Sequence, residues 1–191
     1  MLRVLLVDES SNRSTPLKQY LILAGYEVVS SIPHISDLNE AVERLQPDVI
    51  IIDTDSPSRD TLEHIVLAGR DDPRPIVMFT HDGNREKIRS ATRAGVSAYV
   101  VGGLASERIK PIIEAAIARF EEFSAVKTEL VEANLKLSER KVVERAKGVL
   151  MKQKGLAEDD AYSLMRKLAM DKGIKLSELA QQIVEAAKLL L

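Results

Sequence analysis

The 191-residue sequence predicts two units: an α/β unit built on a five-stranded parallel sheet, and a smaller unit made of helices. Three observations support this prediction. Short apolar runs alternate with helical patterns through about the first hundred residues. These runs are apolar at consecutive positions, which is typical of parallel strands covered by helices on both faces. From about residue 106 onward, the apolar residues recur at helical spacing.

Five apolar runs account for the strands of the sheet. They occupy residues 3–7, 27–30, 49–52, 75–80 and 98–101. Because helices alternate with them, a flavodoxin-like sheet is the default arrangement, although the order of the strands does not follow from the sequence.

The helices between these runs are delimited by residues that begin or end helices. Ser14 or Thr15 is expected to cap the first helix, and Gly25 to end it. Pro47 ends the second helix, and Gly95 ends the fourth. Each helix presents an apolar stripe that can pack on the sheet.

Composition excludes several classes of protein. The absence of cysteine excludes a disulfide framework and a thiolate metal site, and it fits a reducing compartment. No run of 18 uncharged apolar residues occurs, so we expect no contact with a membrane and a cytoplasmic location. Residues 138–191 contain eleven basic and eight acidic residues, whereas residues 1–137 contain sixteen basic and twenty-one acidic residues. This asymmetry suggests two units with different partners.

Acidic and hydroxyl side chains follow the predicted strands at their carboxyl ends, where open parallel sheets bind ligands. Asp8 and Glu9 follow the first run, Asp53 follows the third, and Thr80 ends the fourth. Three carboxylates gathered at one edge would repel one another unless a cation lay among them, and Mg²⁺ prefers such oxygen ligands. Beside a cation, the Asp53 carboxylate is suited to attack a phosphoryl group.

Residues 1–120 resemble the receiver domain of bacterial response regulators in the motifs at 6–9, 51–53, 79–80 and 98–103. The resemblance implies that Asp53 is the phospho-acceptor position, that Asp8 and Glu9 are the acidic pair, and that Thr80 is the hydroxyl switch. One departure affects this interpretation: Gly102 and Gly103 stand where receivers normally have Lys-Pro. Without this lysine, the site of three carboxylates lacks an ammonium group, and we expect that phosphorylation of Asp53 is not the signal. We also expect that no cofactor is required.

An enzymatic alternative rests on Asp53-Thr54-Asp55, which has the Asp-x-Asp spacing of haloacid-dehalogenase-like phosphotransferases. Those enzymes usually carry the motif on the first strand, whereas here it follows the third. We therefore expect a protein that is not an enzyme.

A long helix is expected from about residue 106 to 137, because glycine is absent there and Pro111 falls early. Its segment 112–137 links the two units. One apolar stripe is expected to dock on the sheet, and an offset stripe to continue beyond the domain as a coiled-coil seam. The first stripe comprises Ile112, Ala116, Phe123, Val126, Leu130, Ala133 and Leu137; the offset stripe comprises Ile113, Ile117 and Phe120. The stripe of Phe123, Val126, Leu130 and Leu137 is the basis for a homodimer hypothesis, and a monomeric helix packed on the tail is the alternative.

The tail is expected to contain three short helices, the first over residues 138–155, the second from about 158 to 171 and the third from about 177. The blocks 139–151 and 161–170 resemble the ANTAR domain, a module that binds RNA in transcription antitermination, and the match covers about residues 125–187. The resemblance implies a set of RNA-binding residues: Arg140, Ala146, Lys147, Gly148, Met151, Tyr162, Arg166, Ala169 and Met170.

Physical reasons support several of these assignments. Lys147 and Arg166 can contact phosphates or loop bases, and Tyr162 offers a face on which an unpaired base can stack. Gly148 allows close approach to the backbone and is otherwise unfavourable inside a helix. Core packing is an equally good explanation for Ala169.

A receiver-like unit joined to an ANTAR domain resembles the AmiR/NasT family, and the stretches 53–60 and 74–80 look most like its nitrate-assimilation members. The resemblance implies a regulator that binds paired stem-loops in a leader mRNA and prevents a terminator from forming. It also implies a nitrate-sensing partner that resembles a solute-binding protein. The alternative is a phosphorylation-dependent response regulator that binds duplex DNA. The third tail helix is a poor DNA reader, because it has Gln181 and Gln182 but few basic residues.

Overall fold

The computed structural model describes residues 1–9, 14–70, 72–102 and 106–189. The chain divides into two compact units, a front unit (Met1–Ser124) and a tail unit (Ala125–Leu191). The strands are β1 (Arg3–Asp8), β2 (Glu27–Ile32), β3 (Val49–Asp53), β4 (Ile76–Thr80) and β5 (Ala98–Val101). The helices are α1 (Ser14–Leu23), α2 (Leu38–Leu45), α3 (Arg59–Ala68), α4 (Arg85–Ala94), α5 (Ser106–Lys154), α6 (Glu158–Lys172) and α7 (Leu176–Leu189), with a short 3₁₀ helix at Ile35–Asp37.

The front unit has a five-stranded sheet in the order β2-β1-β3-β4-β5, and each neighbouring pair is parallel. This confirms the predicted flavodoxin-like sheet. Alternate residues of the central strands face opposite layers, so that Leu5 and Ile50 pack in one core while Leu6 and Ile51 pack in the other. Every residue of β3 and β4 is buried, which explains why these runs are apolar without alternation.

Local signals place most helix ends where the sequence indicates them. Gly95 ends α4 in the left-handed conformation (φ 108°). Gln46 ends α2 with a positive φ of 46°, so Pro47 follows the helix rather than ending it directly. α3 begins with a reciprocal cap in which the Thr61 backbone N–H donates to the Ser58 hydroxyl.

α5 is one continuous helix of 49 residues, so the predicted separation near residue 138 is wrong. Ser138 alone costs a helix little, and no proline or glycine accompanies it. The docking stripe also differs from the prediction. Ile109 and Ile113 are fully buried with Ala116 against the sheet, whereas Ile112 is only half-buried and Phe123 is exposed.

The tail unit is a helical unit formed by the end of α5 with α6 and α7. Its buried core consists of Ala146, Leu150, Ala161, Met165, Ala169, Leu179 and Ala180. Gly173 ends α6 in the left-handed conformation (φ 65°). No helix in the described ranges combines the length and apolar character needed to cross a bilayer.

Candidate functional site

The carboxyl edge of the sheet brings two of the three predicted carboxylate residues side by side. Asp8 and Asp53 are partners in the register of β1 and β3, and the Glu9 backbone N–H donates to the Asp53 carbonyl oxygen at 3.0 Å. Asp53 is fully buried, Asp8 is half-buried and Glu9 is exposed. The edge of the sheet therefore positions Asp8 and Asp53 through backbone pairing of adjacent strands.

The expected set of three acidic metal ligands is not formed. Among the described residues, no group of three or more His, Asp or Glu side chains is arranged to hold a metal ion. Asp8 and Asp53 still fit a Mg²⁺ ion, because this ion commonly keeps several waters and binds through one or two carboxylates.

Thr80 lies buried at the end of β4, at the same edge of the sheet. Its hydroxyl donates to the Asp55 carbonyl oxygen at 2.8 Å and accepts from the Asp82 backbone N–H at 3.1 Å. A second bond joins the His81 backbone N–H to the same Asp55 carbonyl at 3.3 Å. The single hydroxyl proton of Thr80 thus ties β4 to the loop that follows Asp53.

Asp82, which sequence reasoning missed, is the centre of a polar network beside this edge. One carboxylate oxygen accepts from the Ser56 hydroxyl at 2.7 Å and lies 3.3 Å from the Lys87 ammonium. The other accepts from the Asn84 backbone N–H at 2.9 Å, and the Asp82 carbonyl accepts from the Tyr99 hydroxyl at 2.8 Å. The hydrogen bonds from Ser56 and Asn84 hold the pKa of Asp82 below its usual value. Two loops, α4 and β5 are joined here, and no short sequence motif reveals such a contact.

Gly102 follows β5 in a backbone conformation that side chains rarely adopt, with φ 88°. Its N–H donates to the Thr80 carbonyl oxygen at 3.1 Å. A lysine at this position would therefore be strained even though a Cβ would meet no atom within 4 Å. Gly103 lies outside the described residues.

In the tail, five of the predicted RNA-binding residues are exposed. Arg140 and Arg166 are exposed, as are Met151, Tyr162 and Met170. Tyr162, Arg166 and Met170 follow one another at four-residue intervals on α6, so they share a face of that helix. Gly148 is half-buried.

Two predicted contact residues, Ala146 and Ala169, belong to the core instead. Ala146 is fully buried and Ala169 is 4% exposed, and both pack in the apolar cluster between the tail helices. Ala146 is therefore not exposed for direct contact with RNA, and for Ala169 the structure shows the core packing that was the equal alternative. Their small side chains allow the helices to approach.

Lys147 also differs from the prediction, because it is only 8% exposed and its charge is already paired. Its ammonium lies 2.8 Å from a Glu144 carboxylate oxygen and 2.7 Å from a Glu158 carboxylate oxygen. Hydrogen bonds to Glu144 and then to Glu158 raise the pKa of Lys147, and the bond from Lys147 lowers the pKa of Glu158. Lys147 therefore joins α5 to the start of α6 and is not an open phosphate contact. The sequence does not identify Glu158 as a partner of Lys147, because helical spacing predicts contacts only within one helix and Glu158 belongs to the next.

Gly148, the next residue, has no packing reason to be glycine. A Cβ built there would meet no atom within 4 Å, and its φ is not in the left-handed region. A glycine inside a helix costs about 1 kcal/mol relative to alanine. The glycine leaves a strip of α5 backbone open to another molecule.

Comparisons with known proteins agree with this two-part architecture. Residues 4–114 match the family described as response regulator receiver domain, and residues 132–184 match the family described as ANTAR domain. The transcriptional regulatory protein PdtaR of Mycobacterium tuberculosis is 31% identical over 183 residues, which cover 96% of this chain and 89% of that protein. The nitrate regulatory protein of Klebsiella oxytoca is 32% identical over 78 residues, covering 41% of this chain and 19% of that protein.

A solved structure supports the fold of the front unit. The receiver domain of a modulated diguanylate cyclase from Desulfovibrio desulfuricans aligns with a TM-score of 0.56 and 21% identity. The alignment covers 63% of this chain and 97% of that domain. At this identity the likeness concerns the fold alone.

Proposed function

The chain belongs to the AmiR/NasT family of regulators, in which a receiver domain precedes an ANTAR domain, and we propose that it binds leader RNA to promote transcription antitermination. The observation that carries this proposal is the ANTAR match over residues 132–184. Within it, Tyr162, Arg166 and Met170 share one exposed face of α6. Tyr162 offers a stacking surface to an unpaired base, and Arg166 can bind a phosphate or stack on a base. Such a face suits RNA loops, whose bases are splayed out.

The competing function is a response regulator that binds duplex DNA. The proposal is tested by measuring binding of the full chain to a leader RNA with two stem-loops and to duplex DNA of the same sequence. Tight binding to the RNA with weak, salt-sensitive binding to the duplex DNA is the expected result. Equal affinity for both, or preference for the duplex DNA, would overturn the proposal.

We propose that a protein partner, rather than phosphorylation, controls the receiver domain. Gly102 stands where the lysine of a phosphorylated receiver normally stands, in a backbone conformation that would strain any side chain, and Thr80 is already bonded to the loop after β3. A partner protein would instead have access to the exposed surface of the front unit. Where Mg²⁺ binds, Asp8 and Asp53 would hold it, and its charge would offset their repulsion.

We further propose that the regulated genes serve nitrate assimilation and that the partner is a cytoplasmic nitrate-sensing protein of solute-binding type. The similarity to a nitrate regulatory protein supports the first part, over 41% of this chain. In this scheme the protein acts in the cytoplasm, where transcripts are made, and it performs no catalysis.

A homodimer through α5 completes the proposal. Phe123, Val126, Leu130 and Leu137 are more than half exposed and are separated in turn by three, four and seven residues. This is the spacing of a coiled-coil seam. The next seam positions are Arg140 and Glu144, so the apolar pattern ends at Leu137. Two copies paired along this segment would present two tail units to an RNA with paired stem-loops.

A further inference from the structure

The end of α5 is the most basic segment of the tail unit. Between residues 140 and 154 it carries six Lys or Arg residues and one acidic residue, Glu144. The first turn of α6, in contrast, holds Glu158, Asp159 and Asp160. The positive charge of the tail is therefore concentrated along α5, and of these six cations the family resemblance implies a role only for Arg140 and Lys147.

Three of these cations form a row along one face of the helix. Lys141, Arg145 and Lys152 are separated by four and seven residues, which places them on the same side of α5. All three are exposed, and among the described residues none of them forms an ion pair. Buried Ala146 and Leu150 lie on another side of the helix, against α6 and α7. The row spans about 16 Å along the helix axis.

Gly148 lies within this basic row. It falls three residues after Arg145 and four before Lys152, so the open strip of backbone is flanked by two cations. The one acidic residue of the segment, Glu144, is paired with Lys147 at 2.8 Å. This ion pair offsets part of the Glu144 charge that would repel a phosphate beside Gly148, although the same ammonium also pairs with Glu158.

We propose that Lys141, Arg145 and Lys152 contact phosphates of the bound RNA, with a sugar-phosphate strand passing over Gly148. This inference rests on the proposed RNA-binding function and adds three contact residues to it. Cations on a helix attract phosphates without reading bases, so the row holds the RNA in register while exposed residues of α6 contact the loops. Lys147 positions α6 and contributes no phosphate contact.

The test uses the full-length protein and a transcribed RNA that carries two stem-loops joined by a single-stranded linker. One variant combines K141Q, R145Q and K152Q. A matched control combines K167Q, K172Q and K175Q, which removes the same charge from three other exposed positions of the tail. The dissociation constant is measured over a series of salt concentrations, and circular dichroism verifies that both variants are folded.

The slope of log affinity against log salt counts the phosphates that are neutralised. The α5 variant is expected to lose about two to three units of slope, and to bind about tenfold or more weakly at 0.1 M salt. The control is expected to lose less than about one unit. If the α5 variant keeps the wild-type slope, or if the control loses as much, the inference is wrong. Failure of the wild-type protein to bind the RNA at all would instead contradict the proposed function.

Discussion

Replacing Gly148 with alanine should raise stability and lower RNA affinity at the same time. Alanine is about 1 kcal/mol more favourable than glycine inside a helix. The new Cβ meets no atom within 4 Å, so no steric cost offsets this gain. We therefore expect Gly148→Ala to raise the free energy of unfolding of the tail unit by about 1 kcal/mol. Chemical denaturation followed by circular dichroism measures this change.

The same methyl group occupies the open strip of backbone over which RNA is proposed to pass. Losing one close contact of this kind should cost about 1–3 kcal/mol of binding, a weakening of roughly five- to a hundredfold. Fluorescence anisotropy with labelled leader RNA measures the affinity. Gln153→Ala, at an exposed position on another side of α5, is the control and should leave affinity unchanged. A more stable Gly148→Ala protein with wild-type affinity would refute the assignment of this strip to RNA.

Three other predictions concern pH, phosphorylation and assembly. Because the folded chain lowers the pKa of Glu158 below its ordinary value of 4.5, this carboxylate stabilises the tail above that pH. Glu158→Gln should therefore lower the free energy of unfolding of the tail at neutral pH, and its difference from wild type in urea unfolding should shrink as the pH falls below about 4. A difference in unfolding free energy that stayed constant with pH would argue against the ion pair with Lys147. Asp53→Asn should retain the response to the native inducer in an antitermination reporter strain, whereas a folded variant that no longer responds would establish Asp53 as a working phospho-acceptor. Leu130→Glu should abolish self-association in sedimentation without destabilising the tail, since Leu130 is 60% exposed; a wild-type protein that stays monomeric even on RNA would contradict the dimer.

The sheet and the location of the acidic residues were predictable because they depend on local pattern. Consecutive apolar residues at 49–52 require a strand covered on both faces, and Asp53 then falls at its carboxyl end. Parallel pairing of β1 with β3 places Asp8 opposite Asp53. The local sequence pattern was sufficient here, because the direction of each strand determines which of its residues lie at the carboxyl edge of the sheet.

Contacts between elements distant in sequence could not be predicted in the same way. The burial of Lys147 depends on Glu158, which arrives from the next helix. The network around Asp82 joins Ser56, Lys87 and Tyr99 from different parts of the front unit. Helical spacing also suggested the wrong docking stripe on α5, since neighbouring stripes were both apolar and only the packed sheet distinguishes Ile113 from Ile112.

The central claim, that this protein promotes antitermination through leader RNA, is tested most directly by single-round transcription in vitro. The template carries the leader with its two stem-loops and terminator ahead of a reporter sequence, and the purified protein is added in increasing amounts. The account predicts that the fraction of full-length transcript rises with protein concentration, and that a leader with the stem-loops deleted shows no such rise. Unchanged termination at concentrations that saturate RNA binding, or an equal effect on the deleted leader, would contradict it.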